Sequence, residues 1–500
     1  MASLKANMPV GSPELELIRR VENIKTGNYT RRCFLESVCS GVAGAIMSGP
    51  MAAAAANKPK ESRLAAQRTR PNIIFILADD LGWAELGCYG NAFNETPHID
   101  KMAQQGMRFT DAYATAPVCS PYRAALMTGQ YPARVGITDY LRPNDVNHLS
   151  PEHTTLAEML KKAGYATGII GKWHLTGYDN HGVQEFTPAM HGFDETIVSE
   201  NRGIGGGSYF YPYHFNRELK KRLPGREYLI DRCNLEAVEF IERHKDERFF
   251  LYVSHYGVHT RLEGKTELVA KFEKKPDAGK GHLANHNNPH LAAQLQSIDD
   301  GVGAIIKKLD ELELAKNTVL IFTSDNGAES RVTSNAPLRA GKSTLYEGGI
   351  RVPFIIRYPR LIPPDTVSTT PTCNIDFYPT LCELAGLRPD PRQYIDGVSI
   401  TRLLKDPLAH LERDTLYWHY PLARPHFLGG RSSGAIRKGR WKLIQYFDAG
   451  KSELYDLAND ISEKQDIASK RPDKAAELKG LLKAWREDVR AKIPMGQHNQ

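Results

Sequence analysis

No stretch of this chain offers the roughly 20 strongly apolar residues that a membrane span requires, which rules out a polytopic membrane protein. An excess of one charge is also missing: 65 Lys and Arg stand against 58 Asp and Glu, for a net +7. Residues 1–56 carry six basic and four acidic side chains, so the remainder holds only +5, too little to point to nucleic acid. Cysteine is sparse, with seven in 500 residues, at positions 33, 39, 88, 119, 233, 373 and 382. Their spacing matches neither a zinc site nor a dense disulfide framework. Beyond residue 56 an odd five remain; four could form two bridges in three connectivities, but buried free thiols are the simpler reading. Internal repeats are absent as well. What is present, 41% hydrophobic and 25% charged residues, describes a folded, water-soluble chain of about two domains.

The first 56 residues do not read as core. Thr30-Arg31-Arg32-Cys33-Phe34-Leu35 precedes a weakly apolar stretch, Val38 to Ala56, broken by Gly49 and Pro50 and closing on Ala54-Ala55-Ala56. This is the pattern of a twin-arginine export signal, so the expected protein is exported, periplasmic or extracellular, and crosses its membrane folded.

From residue 71 onward β-branched runs alternate with helical patterns, the signature of a large, mostly parallel sheet flanked by helices. Five runs read as strands: Ile73–Ala78, Ala166–Ile170, Phe249–Val253, Val319–Thr323 and Pro353–Arg357. Helices are expected over Thr155–Ala163, closed by Gly164, and over Ala292–Leu312. Near Pro389–Pro391 the rhythm changes. Thr415–Tyr420, a hairpin of Trp441–Tyr446 with Glu453–Asp456, and a polar helix near Pro472–Lys492 suit a smaller α+β subdomain. The expected division is a leader over 1–56, an α/β domain over 57–388 and the α+β part over 389–500.

The chemistry follows the strands. Ile73–Ala78 runs into Asp79-Asp80, and Val319–Ser324 runs into Asp325-Asn326. The carboxyl edge of an open α/β sheet is where ligands sit. Three carboxylates and an amide, with no His or Cys at zinc spacing, call for a hard cation, Ca²⁺ before Mg²⁺. Other strands end in Lys172-Trp173-His174 and in His255 and His259. Cys119-Ser120-Pro121-Tyr122-Arg123 opens a helix that Gly129 closes, with Ser120 as the expected N-cap and Pro121 as N1. That spacing sets Cys119 at a helix N-terminus, which favours anions, with Arg123 on the same face.

These residues resemble the type I sulfatases of the alkaline phosphatase superfamily. Their C-x-P-x-R signature, here Cys119-Ser120-Pro121-Tyr122-Arg123, marks a cysteine that a maturation enzyme oxidises to formylglycine. The resemblance runs over residues 71–460: Pro71-Asn72-Ile73-Ile74, Asp79-Asp80-Leu81-Gly82, Thr96-Pro97-His98-Ile99-Asp100, Gly171-Lys172-Trp173-His174-Leu175, His191-Gly192-Phe193-Asp194, Ser324-Asp325-Asn326-Gly327, Gly341-Lys342, and Tyr346-Glu347-Gly348-Gly349-Ile350-Arg351-Val352-Pro353. Tyr122 departs from the small residue usual in the signature, and Thr176 from the Gly common after the Leu.

The resemblance implies an alkaline phosphatase-like fold and a sulfate ester hydrolase. It assigns Ca²⁺ to Asp79, Asp80, Asp325, Asn326 and the modified Cys119. Arg123, Lys172 and Lys342 would hold the formylglycine and the sulfate oxygens. His174 would contact the formylglycine hydroxyls, His259 would protonate the leaving alcohol, and Asp325 would be the base for the attacking hydroxyl. Two other readings stand beside it: a phosphate or phosphonate ester hydrolase with the same cradle, and a non-catalytic binder of sulfated glycans in which Cys119 stays a thiol. Exported members mostly act on sulfated carbohydrates. Tyr209–Phe215, the Gly281–His290 insert, Tyr417–Tyr420 and Arg424–His426 carry aromatic, His and Arg groups suited to a sugar pocket, with His255, His419 and Arg424 as candidate contacts.

Overall fold

All five apolar runs are strands in the computed structural model, which describes residues 70–143, 145–177, 186–201, 209–281 and 284–493. They belong to an eight-stranded sheet. Glu195–Ile197, Ala166–Gly171, Phe249–Ser254, Asn72–Ala78 and Thr318–Ser324 lie side by side and parallel. Phe354–Arg357 then runs antiparallel, Met107–Phe109 reverses again, and Thr366–Ser368 closes the edge.

The strand Asn72–Ala78 is apolar throughout because both its faces are covered. Ile73, Phe75 and Leu77 enter one core cluster, while Ile74, Ile76 and Ala78 enter the other. That alternation follows from the two-residue period of a strand. The flanking helices carry their own stop signals. Leu156–Lys162 starts at a capping box between Thr155 and Glu158, and the chain leaves it at Gly164, with φ +82°. Pro289–Glu311 starts three residues earlier than its apolar spacing marks, because Asn288 caps the amides of His290 and Leu291 and Pro289 fits the first turn.

The second sheet is antiparallel, in the order Thr415–Tyr420, Ser433–Lys438, Trp441–Tyr446 and Ser452–Asp456, and the helix Pro472–Asp488 covers it. Ser433–Lys438 escapes a reading by pattern, since its six residues begin Ser-Gly and hold only Ala435 and Ile436 as apolar members. The chain beyond residue 389 also contributes to the first layer. Ile400, Leu403 and Leu404 pack into a core of the large sheet, so chain that reads as a new rhythm still belongs to the first layer.

Among the described residues, Cys88, Cys119, Cys233, Cys373 and Cys382 are all free, and no helix is long and apolar enough to cross a membrane. The expected leader over 1–56 and residues 282 and 283 of the Gly281–His290 insert lie outside the described residues. Tyr209, Tyr213 and Phe215 are core plugs rather than pocket walls.

The two sheets are joined by buried charge. Lys442, fully buried, lies 2.8 Å from Glu347 Oε1 and 2.9 Å from Glu463 Oε1. Tyr113 donates to Glu347 Oε2 at 2.6 Å, and the main-chain N–H of Glu347 donates to Glu463 at 2.7 Å. One ammonium between two buried carboxylates favours keeping a proton on the second. Burial and the neighbouring Glu347 push Glu463 up to about 7 against the pull of Lys442, while Lys442 and Arg351 overcome burial to hold Glu347 down at about 2.

Replacing Lys442 with Met is therefore expected to destabilise the protein by about 3–5 kcal/mol in denaturant melts, because it strands two buried carboxylates. A loss under about 1 kcal/mol would show that the ion group does not hold the sheets together. The folded chain keeps the Glu463 proton where the unfolded chain has lost it. Its contribution is fully present below about 4.5, the ordinary glutamate value, and is lost as pH rises through about 7. Glu463→Gln should flatten the stability profile across that window; an unchanged slope would place the titration elsewhere.

Candidate active site

Parallel register sets the site. Ala78 pairs with Ser324 across two central strands, so Asp79 and Asp80 leave the sheet beside Asp325 and Asn326. Gly171 pairs with Ser254 on the neighbouring strands, which brings Lys172–His174 and His255–His259 to the same edge. Asp80, with φ +61°, turns back so that its N–H donates to Asp325 Oδ1 at 3.1 Å, and Asn326 Nδ2 donates to Asp80 Oδ1 at 2.8 Å.

The helix Cys119–Thr128 meets this edge end on. It begins at Cys119, with Val118 as N-cap, rather than at Pro121, so the cysteine itself occupies the first helical turn. Gly129 closes it in the left-handed region. Arg123, completely enclosed, donates to the carbonyl of Lys172 at 2.9 Å, to Ser254 Oγ at 2.6 Å and to Asp325 Oδ2 at 2.8 Å. Lys172 donates to Asp79 Oδ2 at 2.5 Å, and Lys342 to Asp80 Oδ2 at 2.6 Å.

Three cations thus stand against three buried carboxylates. Burial works against ionisation of all three, but Lys172 for Asp79 and Lys342 for Asp80 win and hold both below the usual carboxylate range. Asp325 goes the other way, raised by burial and then by Asp79, despite Arg123. Burial also pushes the Cys119 thiol up to about 11, with Lys172 and Lys342 opposing.

Two acceptor atoms lack partners. Asp79 Oδ1 and Asn326 Oδ1 are buried with no hydrogen-bond donor among the described residues. Oxygens of Asp79 and Asp325 come within 4.8 Å of Cys119 Sγ and of one another, and Asp80, Cys119 and His259 form a second such group. Orphaned buried oxygens beside carboxylates fit a hard divalent cation, and the site offers Asp79, Asp80, Asp325 and Asn326 to hold it.

The histidines are pinned by carbonyls. His174 Nε2 lies 2.8 Å from Leu141 O, so it carries the proton and leaves Nδ1 bare. Burial and then Lys172 lower this imidazole well below its ordinary value, which keeps it neutral. His259 Nδ1 lies 2.6 Å from Thr260 O, leaving Nε2 to face Asp80 Oδ2 at 3.6 Å.

Cys119, Lys172, His174, His259 and Lys342 line one cleft of about 160 Å³ with Tyr140, Leu141, Pro143, Thr260, Glu329, His426, Phe427 and Leu428. The three expected sugar contacts are not among its walls. His255 is buried, and the loop that follows it pairs its Gly257 and Val258 main chain with Asp79. His419 bonds the carbonyl of Lys492 at 2.9 Å behind the second sheet. Arg424 is exposed, while its neighbours His426, Phe427 and Leu428 reach the cleft.

Two carboxylates escape reading by motif. Glu200 accepts the main-chain N–H groups of Trp173, at 3.0 Å, and His174, at 2.5 Å, together with the Tyr256 hydroxyl at 3.0 Å. It fastens the turn bearing Lys172 and His174 to the loop bearing His259. Glu329 accepts from Thr260 Oγ1 at 2.9 Å and from Arg331 Nε at 2.5 Å. Its nearness to Asp325-Asn326 in sequence is the one signal that could have marked it.

Residues 71–387 match the family described as Sulfatase, and residues 340–491 match N-sulphoglucosamine sulphohydrolase, C-terminal. A sulfatase of Formosa agariphila is 31% identical over 83% of this chain and 88% of its own length. An N-acetylgalactosamine-6-O-sulfatase of Bacteroides thetaiotaomicron is 32% identical over 83% of this chain and 93% of its own. Among solved structures, Ps i-CgsB superposes with a TM-score of 0.72 at 30% identity, covering 85% of this chain and 94% of that one, and is also known in complex with k-i-k-neocarrahexaose. Agreement that spans both the carboxylate edge and the second sheet admits one conclusion: the chain belongs to the sulfatase family and is a sulfuric ester hydrolase.

Proposed function

We propose that this enzyme removes sulfate from a sulfated carbohydrate, with Cys119 converted to formylglycine by a maturation enzyme and Ca²⁺ held by Asp79, Asp80, Asp325 and Asn326. We further propose that it works after export, in the periplasm or outside the cell. The observation that carries the reading is Cys119 itself: it stands between two lysines and two carboxylates, yet its thiol stays protonated at neutral pH and is therefore a poor nucleophile as encoded. The carbohydrate class is supported by the sugar named for the Bacteroides relative and by the oligosaccharide bound to Ps i-CgsB.

Formylglycine as its hydrate supplies the attacking hydroxyl, and Ca²⁺ supplies positive charge to the sulfate oxygens. The chain does the rest. Lys172 and Lys342 turn toward the sulfate and offset the charge that builds on its oxygens. Arg123 holds Asp325 and the Lys172 carbonyl, so acid and base keep their spacing. Asp325, held in place by Arg123, takes a proton on the attacking side. His174 offers a bare Nδ1 for a second proton, and His259, its Nδ1–H held by Thr260 O, carries a second proton on Nε2 beside Asp80 to give to the departing alcohol.

Expressed with a maturation enzyme, the peptide containing Cys119 should be lighter than its thiol form by mass spectrometry. Cys119→Ala should lose sulfate release by roughly 10³-fold or more, the scale of removing a nucleophile. Chelation should abolish turnover and Ca²⁺ should restore it. An unmodified thiol with no sulfate release from any ester would refute the catalytic reading, and faster turnover of phosphate than of sulfate esters would replace it with phosphoryl transfer. His259→Asn should cost about 10²-fold on sugar sulfates but far less on a nitrophenyl sulfate, whose alcohol leaves without a proton. Equal losses on both would remove His259 from the acid role.

A further inference from the structure

Beyond the catalytic cleft the surface continues into a groove of about 540 Å³, lined by Thr260, Arg261, Leu262, Glu263, Glu329, Arg331 and Val332. Thr260 and Glu329 line both, so the groove begins beside His259, on the side from which the alcohol departs. The cleft alone, at about 160 Å³, falls short of the roughly 300–1,000 Å³ of small-ligand sites, and the groove makes up the difference.

Its walls have a distinct chemistry. Leu262 and Val332 form an apolar floor, each buried. Phe427, 69% exposed, stands at the mouth of the cleft with the Arg331 guanidinium 5.1 Å from its ring centre. Arg261 makes no ion pair among the described residues and offers donors, while Glu263 offers acceptors at the same rim. Two arginines and two glutamates stand among its lining residues, so their formal charges sum to zero, and Arg331 is bonded to Glu329. A wall that is apolar below and evenly supplied with donors and acceptors matches a sugar ring, with its C–H face and its hydroxyls. It does not match a second anion, which would need unbalanced positive charge.

We infer that this groove is a subsite for an uncharged neighbouring sugar, so that the enzyme acts on a sulfated unit within an oligosaccharide and reads only one sulfate. The inference rests on the sulfated-carbohydrate reading above. The apolar floor takes the ring face, and Arg261 and Glu263 take its hydroxyls.

The test compares kcat/KM of the matured enzyme for four esters: a nitrophenyl sulfate, a sulfated monosaccharide, the same sugar linked to an unsulfated neighbour, and the same sugar linked to a sulfated neighbour. The unsulfated neighbour should raise kcat/KM by about tenfold or more over the monosaccharide, the size of one good contact. A second sulfate should add nothing. Arg261→Ala should erase most of that gain, and Arg261→Lys should retain part of it. Equal rates for monosaccharide and oligosaccharide, or a gain confined to the sulfated neighbour, would overturn the subsite while nitrophenyl sulfate turnover left the sulfatase reading intact. No release from any of the four would instead refute that underlying reading.

Discussion

Asp79, Asp80 and Asp325 are fully buried at one edge of a parallel sheet, and like charges so placed repel across a medium that screens them poorly. Almost every other feature of the site answers that constraint. Lys172 and Lys342 each take one carboxylate, Arg123 takes the third, and each cation arrives on a different element. The same charges that let the acids be buried are left facing the cleft beside Cys119. Affinity for an oxyanion is thus a by-product of holding a cation site inside the protein. Asp325 joins the two halves of that edge, accepting from Arg123 through one oxygen and from the Asp80 N–H through the other.

Much of the site is legible in the sequence because its members follow strands. A run such as Ile73–Ala78 must be a buried strand, and polar residues at its carboxyl end can escape the core only at the sheet edge. Asp79, Asp80, Lys172, His174, His259 and Asp325 all obey that logic. Register, which pattern alone does not give, then decides what meets: Ala78 pairs with Ser324 and Gly171 with Ser254. What escapes the sequence depends on contacts between distant segments. Glu200 follows the short edge strand Glu195–Ile197 and looks like any loop acid until its bonds to Trp173 and His174 are seen. His255 and His419 fail as sugar contacts for the same reason, since spacing along a chain does not say which way a loop turns. In the 424–428 loop the right segment is visible but Arg424, the more conspicuous residue, stays outside, while His426, Phe427 and Leu428 reach the cleft.

The second sheet is more than a cover. Trp418 donates to the carbonyl of Ala114 at 2.7 Å, a few residues before Cys119, and Lys442 grips Glu347, a few residues after Lys342. Both ends of the cradle are therefore braced from the same side, by residues that read in the sequence as an unrelated smaller unit.

That bracing has a consequence in time. Cys119 is 3% exposed in the finished fold, so any enzyme that must grasp its side chain needs the chain before closure. Glu463, the last member of the buried ion group, is made roughly 340 residues later, an interval on the order of 20–70 s at ordinary rates of synthesis. During that interval the Cys119 segment exists while the sheet that packs against Val118 and Ala125 does not. The order of residues along the chain thus separates the making of the nucleophile's helix from the making of the layer behind it.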